Sequence, residues 1–203
     1  MPTVKILRHS ERLDYANPLL WMVCFGQKWD DAPLTEHGHQ IANQKGQALV
    51  DGKDFNPKKI YTSPYRRTMS TASSIRASFP EAEIIVETLL SEYQPNKPHL
   101  IDLYPHGIST YYNGQQTNFC YPETHDEFKS RAHFIVDQLV IANTNDFAII
   151  THGELLKVFI AYFKQTYPDV LFESDAYPSY LCTLSFTYDA DSKQIDGSSI
   201  RLE

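Results

Sequence analysis

The sequence predicts an α/β protein, a three-layer α/β/α sandwich in which helices cover both faces of a mostly parallel sheet. Three observations carry this. Short apolar runs alternate with helix-like patterns along the chain, the order that generates crossover connections and parallel strands. Phe147-Ala148-Ile149-Ile150 is a continuous apolar run, the pattern of a strand buried on both faces. Hydrophobic residues make up 42% of the 203, enough to fill a core between such layers.

The elements follow in order. Residues 4–7 form a brief apolar run that reads as a strand. Residues 35–50 follow a proline-containing turn, and Ile41, Ala42, Ala48 and Leu49 suit a helix despite Gly38 and Gly46. A short strand is read at 59–62, and Pro64 suits the first turn of a helix running to about 78. Ile84-Ile85-Val86 reads as a third strand. Residues 93–122 hold four prolines and many tyrosines without a period, the mark of a long irregular insertion. A second insertion is read at about 13–32. Thr124 and Glu127 have the spacing of a capping box, and Phe128, Ala132, Ile135 and Leu139 then recur at helical spacing. A helix over 154–167, a strand over 181–188 and a last strand near 199–202 complete a single domain spanning 1–203.

Composition narrows the function classes. The net charge of −7, from 18 basic and 25 acidic residues, argues against a nucleic-acid partner. Cys24, Cys120 and Cys182 are far apart and form no Cys-x-x-Cys pair, so a reducing compartment and no metal ribbon are expected. No secretory leader is read in the first residues, and no apolar run is long enough to span a membrane. The expected location is cytoplasmic.

In open α/β sheets, ligands bind beyond the carboxyl ends of the strands. Here the first strand runs into Arg8-His9-Ser10-Glu11-Arg12, the second into Ser63-Pro64-Tyr65-Arg66-Arg67, and the 147–150 run into Thr151-His152-Gly153. If those strands are neighbours, two imidazoles and several guanidiniums share one pocket. Guanidinium binds phosphate oxygens in a bidentate manner, and neutral imidazole is a nucleophile able to carry a phosphoryl group.

These motifs resemble the histidine phosphatase superfamily, the phosphoglycerate mutase-like proteins. Leu7-Arg8-His9, Pro33-Leu34-Thr35-x-x-Gly38, Ser63-Pro64-x-x-Arg67 with Thr71-Ala72, and Ile150-Thr151-His152-Gly153 stand in the family's order between residue 4 and about 160. The resemblance implies His9 as the phosphorylated nucleophile. Arg8, Arg67 and His152 would complete the phosphate pocket, with Arg12 as an extra phosphate ligand. Spacing from Ser63 favours Arg67 over Arg66. The family's acid falls on Glu92, with Glu87 the nearest competitor. Ser10 departs from the family's glycine after the first histidine. His37 and His39 read as surface residues, His106 and His125 as loop decoration, and Lys157 as a surface charge.

The activity implied is a metal-independent phosphoric monoester hydrolase working through phosphohistidine, with no cofactor. Its partner would be a phosphorylated small molecule or phosphopeptide, and a homodimer is left open. Two alternatives stand beside it: a phosphoglycerate mutase, and a non-catalytic phospho-ligand or protein-binding module. Between Arg76 and Lys129 only Lys97 is basic, which disfavours a doubly anionic sugar phosphate. Aromatic residues of the two insertions, Tyr93, Tyr104, Tyr111, Tyr112, Phe119 and Tyr121 with Trp21, Phe25 and Trp29, are read either as a satellite core or as a pocket roof selecting a bulky or aromatic substrate.

Overall fold

The computed structural model describes residues 1–25, 31–93, 110–112, 115–117, 119, 122–170, 172 and 177–203. The sheet is built from β1 (Thr3–Arg8), β2 (Lys59–Thr62), β3 (Glu83–Val86), β6 (Phe147–Thr151), β7 (Thr183–Tyr188) and β8 (Ile195–Leu202), in the order β3-β2-β6-β1-β7-β8. The β3-β2, β2-β6 and β6-β1 pairs are parallel, and β7 and β8 add two antiparallel pairs. The sheet is therefore mostly parallel, as the alternation of patterns predicts.

Burial explains the layers. Along β6, Phe147 and Ile149 face one side and Ala148 and Ile150 the other. The first side packs on α5 (His125–Ala142) and α6 (Gly153–Thr166) through Phe128, Ile135, Leu139, Leu155 and Phe159. The second packs on α3 (Glu36–Asp51) and α4 (Arg66–Arg76) through Leu49, Ala72 and Ile75. The capping box of Thr124 and Glu127 is present at the start of α5.

Three elements differ from the sequence reading. Residues 13–25 form two short helices, α1 (Leu13–Ala16) and α2 (Pro18–Phe25). The second is apolar all round, so it has no period to read, and Trp21 is fully buried while Leu19 and Val23 face outward. α4 begins at Arg66 and not at Pro64, because the Tyr65 carbonyl is the first to accept helical bonds, from Thr68 and Met69. β8 begins at Ile195, its polar Asp196 to Ser199 stretch hiding a strand that is bulged against β7. Within the 93–122 segment, β4 (Thr110–Tyr112) and β5 (Gln115–Thr117) pair antiparallel. Trp29, Tyr104, His106, Cys120 and Tyr121 lie outside the described residues.

One buried ion pair ties α5 to the segment that precedes Glu92. Arg131 is fully buried and bonds Glu123 through two nitrogens, Nε at 2.9 Å and Nη2 at 2.6 Å. Its Nη1 donates to the carbonyls of Leu89 and Ser91, at 2.5 and 3.0 Å. Those carbonyls flank the end of a 3₁₀ turn at Thr88–Leu90. Removing one partner leaves a buried charge, which costs about 3–5 kcal/mol. Arg131→Met should lose about that much in urea unfolding, whereas the double variant Glu123→Leu/Arg131→Met should recover most of it. A single variant within about 1 kcal/mol of the parent would show that the pair does not anchor α5.

Candidate active site

Parallel pairing sets the level of the site residues. Leu7 is opposite Ile150 and Arg8 opposite Thr151, so both strands run out together. The His9 N–H then donates to the Thr151 carbonyl at 2.8 Å, and the Ser63 N–H to the Ile150 carbonyl at 3.2 Å. His9 and His152 meet edge to face with ring centroids 5.5 Å apart, and both are buried.

His9 is fixed in one tautomer by its own loop. Its Nδ1 lies 2.7 Å from the Ser10 carbonyl, an acceptor only, so Nδ1 carries the proton and Nε2 keeps its lone pair. Burial, then the nearby Arg67 charge, holds the imidazole well below its ordinary pKa, so it is neutral. Ser10 does not sit in the left-handed region, where glycine would be favoured. Its hydroxyl donates to the Gly38 carbonyl at 2.6 Å, and its N–H donates to Thr71 Oγ1 at 3.0 Å. The departure from glycine therefore adds a side-chain bond from the loop to α3, beside the backbone bond to α4. Gly38 leaves no room for a Cβ because the Glu11 carbonyl packs against it, and Thr35 caps α3 while donating to Glu11 at 2.6 Å.

His152 is engaged at both nitrogens. Arg67 Nη2 donates to Nδ1 at 3.1 Å, which places the ring proton on Nε2, 2.8 Å from Ser63 Oγ. Burial and the Arg67 charge lower its pKa well below the ordinary value. Arg67 is itself buried over the Tyr65 ring, and burial lowers its pKa to about 10, so it stays cationic at neutral pH. Glu92 Oε2 lies 3.5 Å from His152 Nδ1. Burial raises the Glu92 pKa, with Arg67 and the Tyr93 N–H pulling the other way. Glu87 serves locally: its carboxylate accepts from the Leu89 N–H at 2.9 Å and starts the 3₁₀ turn.

Arg8 and Arg12 are held by residues that the sequence reading did not single out. Arg8 Nη1 donates to the Pro178 carbonyl at 2.5 Å, and its guanidinium lies between the rings of Tyr177 and Tyr180, at 4.9 and 4.6 Å. Tyr180 also stands 5.9 Å from the His9 ring. Arg12 pairs with Asp14 through Nε and Nη2, at 2.6 and 2.5 Å, and lies 4.3 Å from the Tyr15 ring. Burial opposes the Arg12 charge, but Asp14 outweighs it and raises the pKa. Of the insertion aromatics, the side chains of Trp21, Tyr93 and Phe119 are described and serve packing, while those of Phe25, Tyr111 and Tyr112 lie outside what the structure describes. Trp21 is buried, Tyr93 lies against His125 and Phe128, and Phe119 against Phe134. Asp14 could have been found as a carboxylate two residues from an arginine, whereas no local signal marks Tyr177 and Tyr180.

Among the remaining histidines, His37 is exposed near Glu11 and His39 lies 3.2 Å from Ser74. Lys157 pairs with Glu154 on the surface of α6, beneath the Tyr177 ring. Among the described residues no helix is long and apolar enough to cross a membrane.

Comparison with known proteins agrees with this architecture. The model of the histidine phosphatase superfamily (branch 1) matches residues 7–199. An uncharacterized phosphoglycerate mutase family protein of Acanthamoeba polyphaga mimivirus is 52% identical over 203 residues, covering 100% of this chain and 98% of the relative. Among solved structures, YhfR of Bacillus stearothermophilus aligns with a TM-score of 0.63 at 23% identity, covering 100% of this chain and 95% of its own. The ecdysone phosphate phosphatase of Bombix mori, solved with tungstate, aligns at 0.68 and 19%, covering 100% and 92%. Phosphoglycerate mutase of Bacillus anthracis aligns at 0.59 and 16%, covering 100% and 91%. These likenesses share the fold, and the family match together with the viral relative places the chain in the histidine phosphatase superfamily.

Proposed function

We propose that the protein is a phosphomonoesterase that works through a phosphohistidine on His9. The observation that carries the reading is the His9 tautomer: Nδ1–H is given to the Ser10 carbonyl, and a neutral Nε2 is left among buried arginines. Nε2 attacks phosphorus in line, and the bond from phosphorus to the ester oxygen breaks. The ring then bears a proton on Nδ1 and phosphorus on Nε2, a cation that the Ser10 carbonyl stabilises. Arg8, Arg12 and Arg67 offset the charge on the equatorial oxygens. His152 positions Arg67 and Ser63, to which both its nitrogens are bonded.

Glu92 is the acid of this scheme. Its raised pKa favours the protonated form, which donates to the departing oxygen and releases the alcohol. In the second step water attacks phosphorus and gives its proton to the Glu92 carboxylate. The phosphorus–nitrogen electrons return to Nε2, and inorganic phosphate leaves. Glu87, tied into the 3₁₀ turn, is the weaker candidate.

Two measurements test the reading. Incubation with a radiolabelled phosphomonoester and rapid quenching should trap an acid-labile, base-stable label on the protein, and His9→Ala should abolish both label and turnover. Label on the variant, or turnover at the parent rate, would overturn the mechanism. Conversion of one phosphoglycerate isomer to the other at a rate above hydrolysis would select the mutase instead.

The second measurement is the pH profile of kcat/KM. His9 must be neutral, so the acidic limb should lie below the ordinary histidine value near 6.5. Glu92 must be protonated in the first step, so activity on an alkyl phosphate should fall as pH rises through a limb above 4.5. Glu92→Gln should remove that limb and lower kcat/KM on the alkyl phosphate by about 10²–10⁴, with a smaller loss in kcat/KM for an aryl phosphate whose leaving group needs no proton. Equal losses on both substrates would exclude Glu92 as the acid.

A further inference from the structure

Tyr177 and Tyr15 stand at the side of the site where the alcohol would depart. Tyr177 is half-exposed, its ring is 4.9 Å from the Arg8 guanidinium, and its hydroxyl lies where a side chain at Gly153 would otherwise sit. Gly153 directly follows His152, so the missing Cβ is what admits the ring beside the second imidazole. Burial, and then the negative charge of Glu92, pushes the phenol's pKa to about 12. It therefore stays neutral, with the Arg8 and Lys157 cations over its ring and about half of the residue open to solvent. The exposed ring of Tyr15 covers a second arginine of the site, Arg12, at 4.3 Å.

Tyr177 reaches Gly153, next to His152, and Glu92 lies 3.5 Å from the same imidazole, so with Glu92 as proton donor the ring stands on the leaving-group side. The inner ends of both rings rest on arginines of the phosphate pocket, and their outer parts are open to solvent. We infer that Tyr15 and Tyr177 form an aromatic clamp that selects planar, apolar alcohols or phenols as the leaving group. This rests on the phosphomonoesterase reading for its orientation. It replaces the insertion aromatics Trp21, Tyr93 and Phe119, which pack elsewhere, as the source of any preference for an aromatic ester.

The test is binding of phosphonates that cannot be hydrolysed, so it does not depend on turnover. Calorimetry would compare phenylphosphonate with methylphosphonate on the full chain, on Tyr177→Ala, Tyr177→Phe and Tyr15→Ala. The parent should prefer phenylphosphonate. Each alanine variant should lower the phenyl-to-methyl affinity ratio about three- to tenfold, the worth of one ring contact, and Tyr177→Phe should keep it. Equal weakening of both ligands would overturn the clamp and leave Tyr177 as a support for Arg8. A parent without preference would overturn it as well. A preserved ratio change in a protein that forms no phosphohistidine would keep the clamp and overturn the esterase reading instead.

Discussion

The parallel pairing of β1 with β6, Val4 against Phe147 through Arg8 against Thr151, decides where everything else in the site can be. Strand residues alternate faces, so a slip by one would send His9 and His152 to opposite sides of the sheet. The register is fixed by packing on both faces, since Ile149 belongs to the core under α5 and α6 while Ile150 belongs to the core under α3 and α4. The apolar layers therefore set the 5.5 Å meeting of two imidazoles that they do not touch. β2 joins the same register through Thr62 and Ile150, and brings Ser63 to His152.

Gathering positive charge at buried strand ends costs free energy, and each arginine offsets that cost differently. Arg12 and Arg131 meet carboxylates, from Asp14 and Glu123. Arg8 has the Pro178 carbonyl and two tyrosine faces, which compensate a cation without cancelling it. Arg67 donates to a neutral imidazole. Burial keeps both histidines unprotonated and the Arg67 charge adds to it, so the arginine that lines the pocket also helps to set the ionisation of the group within it.

Arg8, His9, Arg67 and His152 were legible in the sequence because each follows a strand whose apolar run is plain, and the carboxyl-end rule then places them together. Glu92 was legible only through the family resemblance, since no periodic pattern surrounds it. Tyr177 and Tyr180 were not, because their partner Arg8 is about 170 residues away and such contacts leave no local trace. Arg131 was hidden for another reason. It occupies a core position of α5, where the helical pattern suggests an apolar residue, and only the tertiary structure supplies its carboxylate and carbonyls. The two helices at 13–25 and the polar first half of β8 lacked any contrast between faces.

The hydrogen bond from Arg8 to the Pro178 carbonyl has a consequence for how such a protein can change over generations. Residues 177–180 reach β7 through Leu181, which takes the left-handed conformation with φ at 60°. They lie outside the sheet, with Pro178 buried and Tyr177 exposed. The backbone of Pro178 holds the Arg8 guanidinium, and the rings of Tyr177 and Tyr180 lie against it. In the proposed esterase, drift in this segment acts on two traits together, the grip on the phosphoryl group and the surroundings of the departing alcohol. Diversification through this route is pleiotropic, and lineages that exchange one preference for another must retune Arg8 in the same steps.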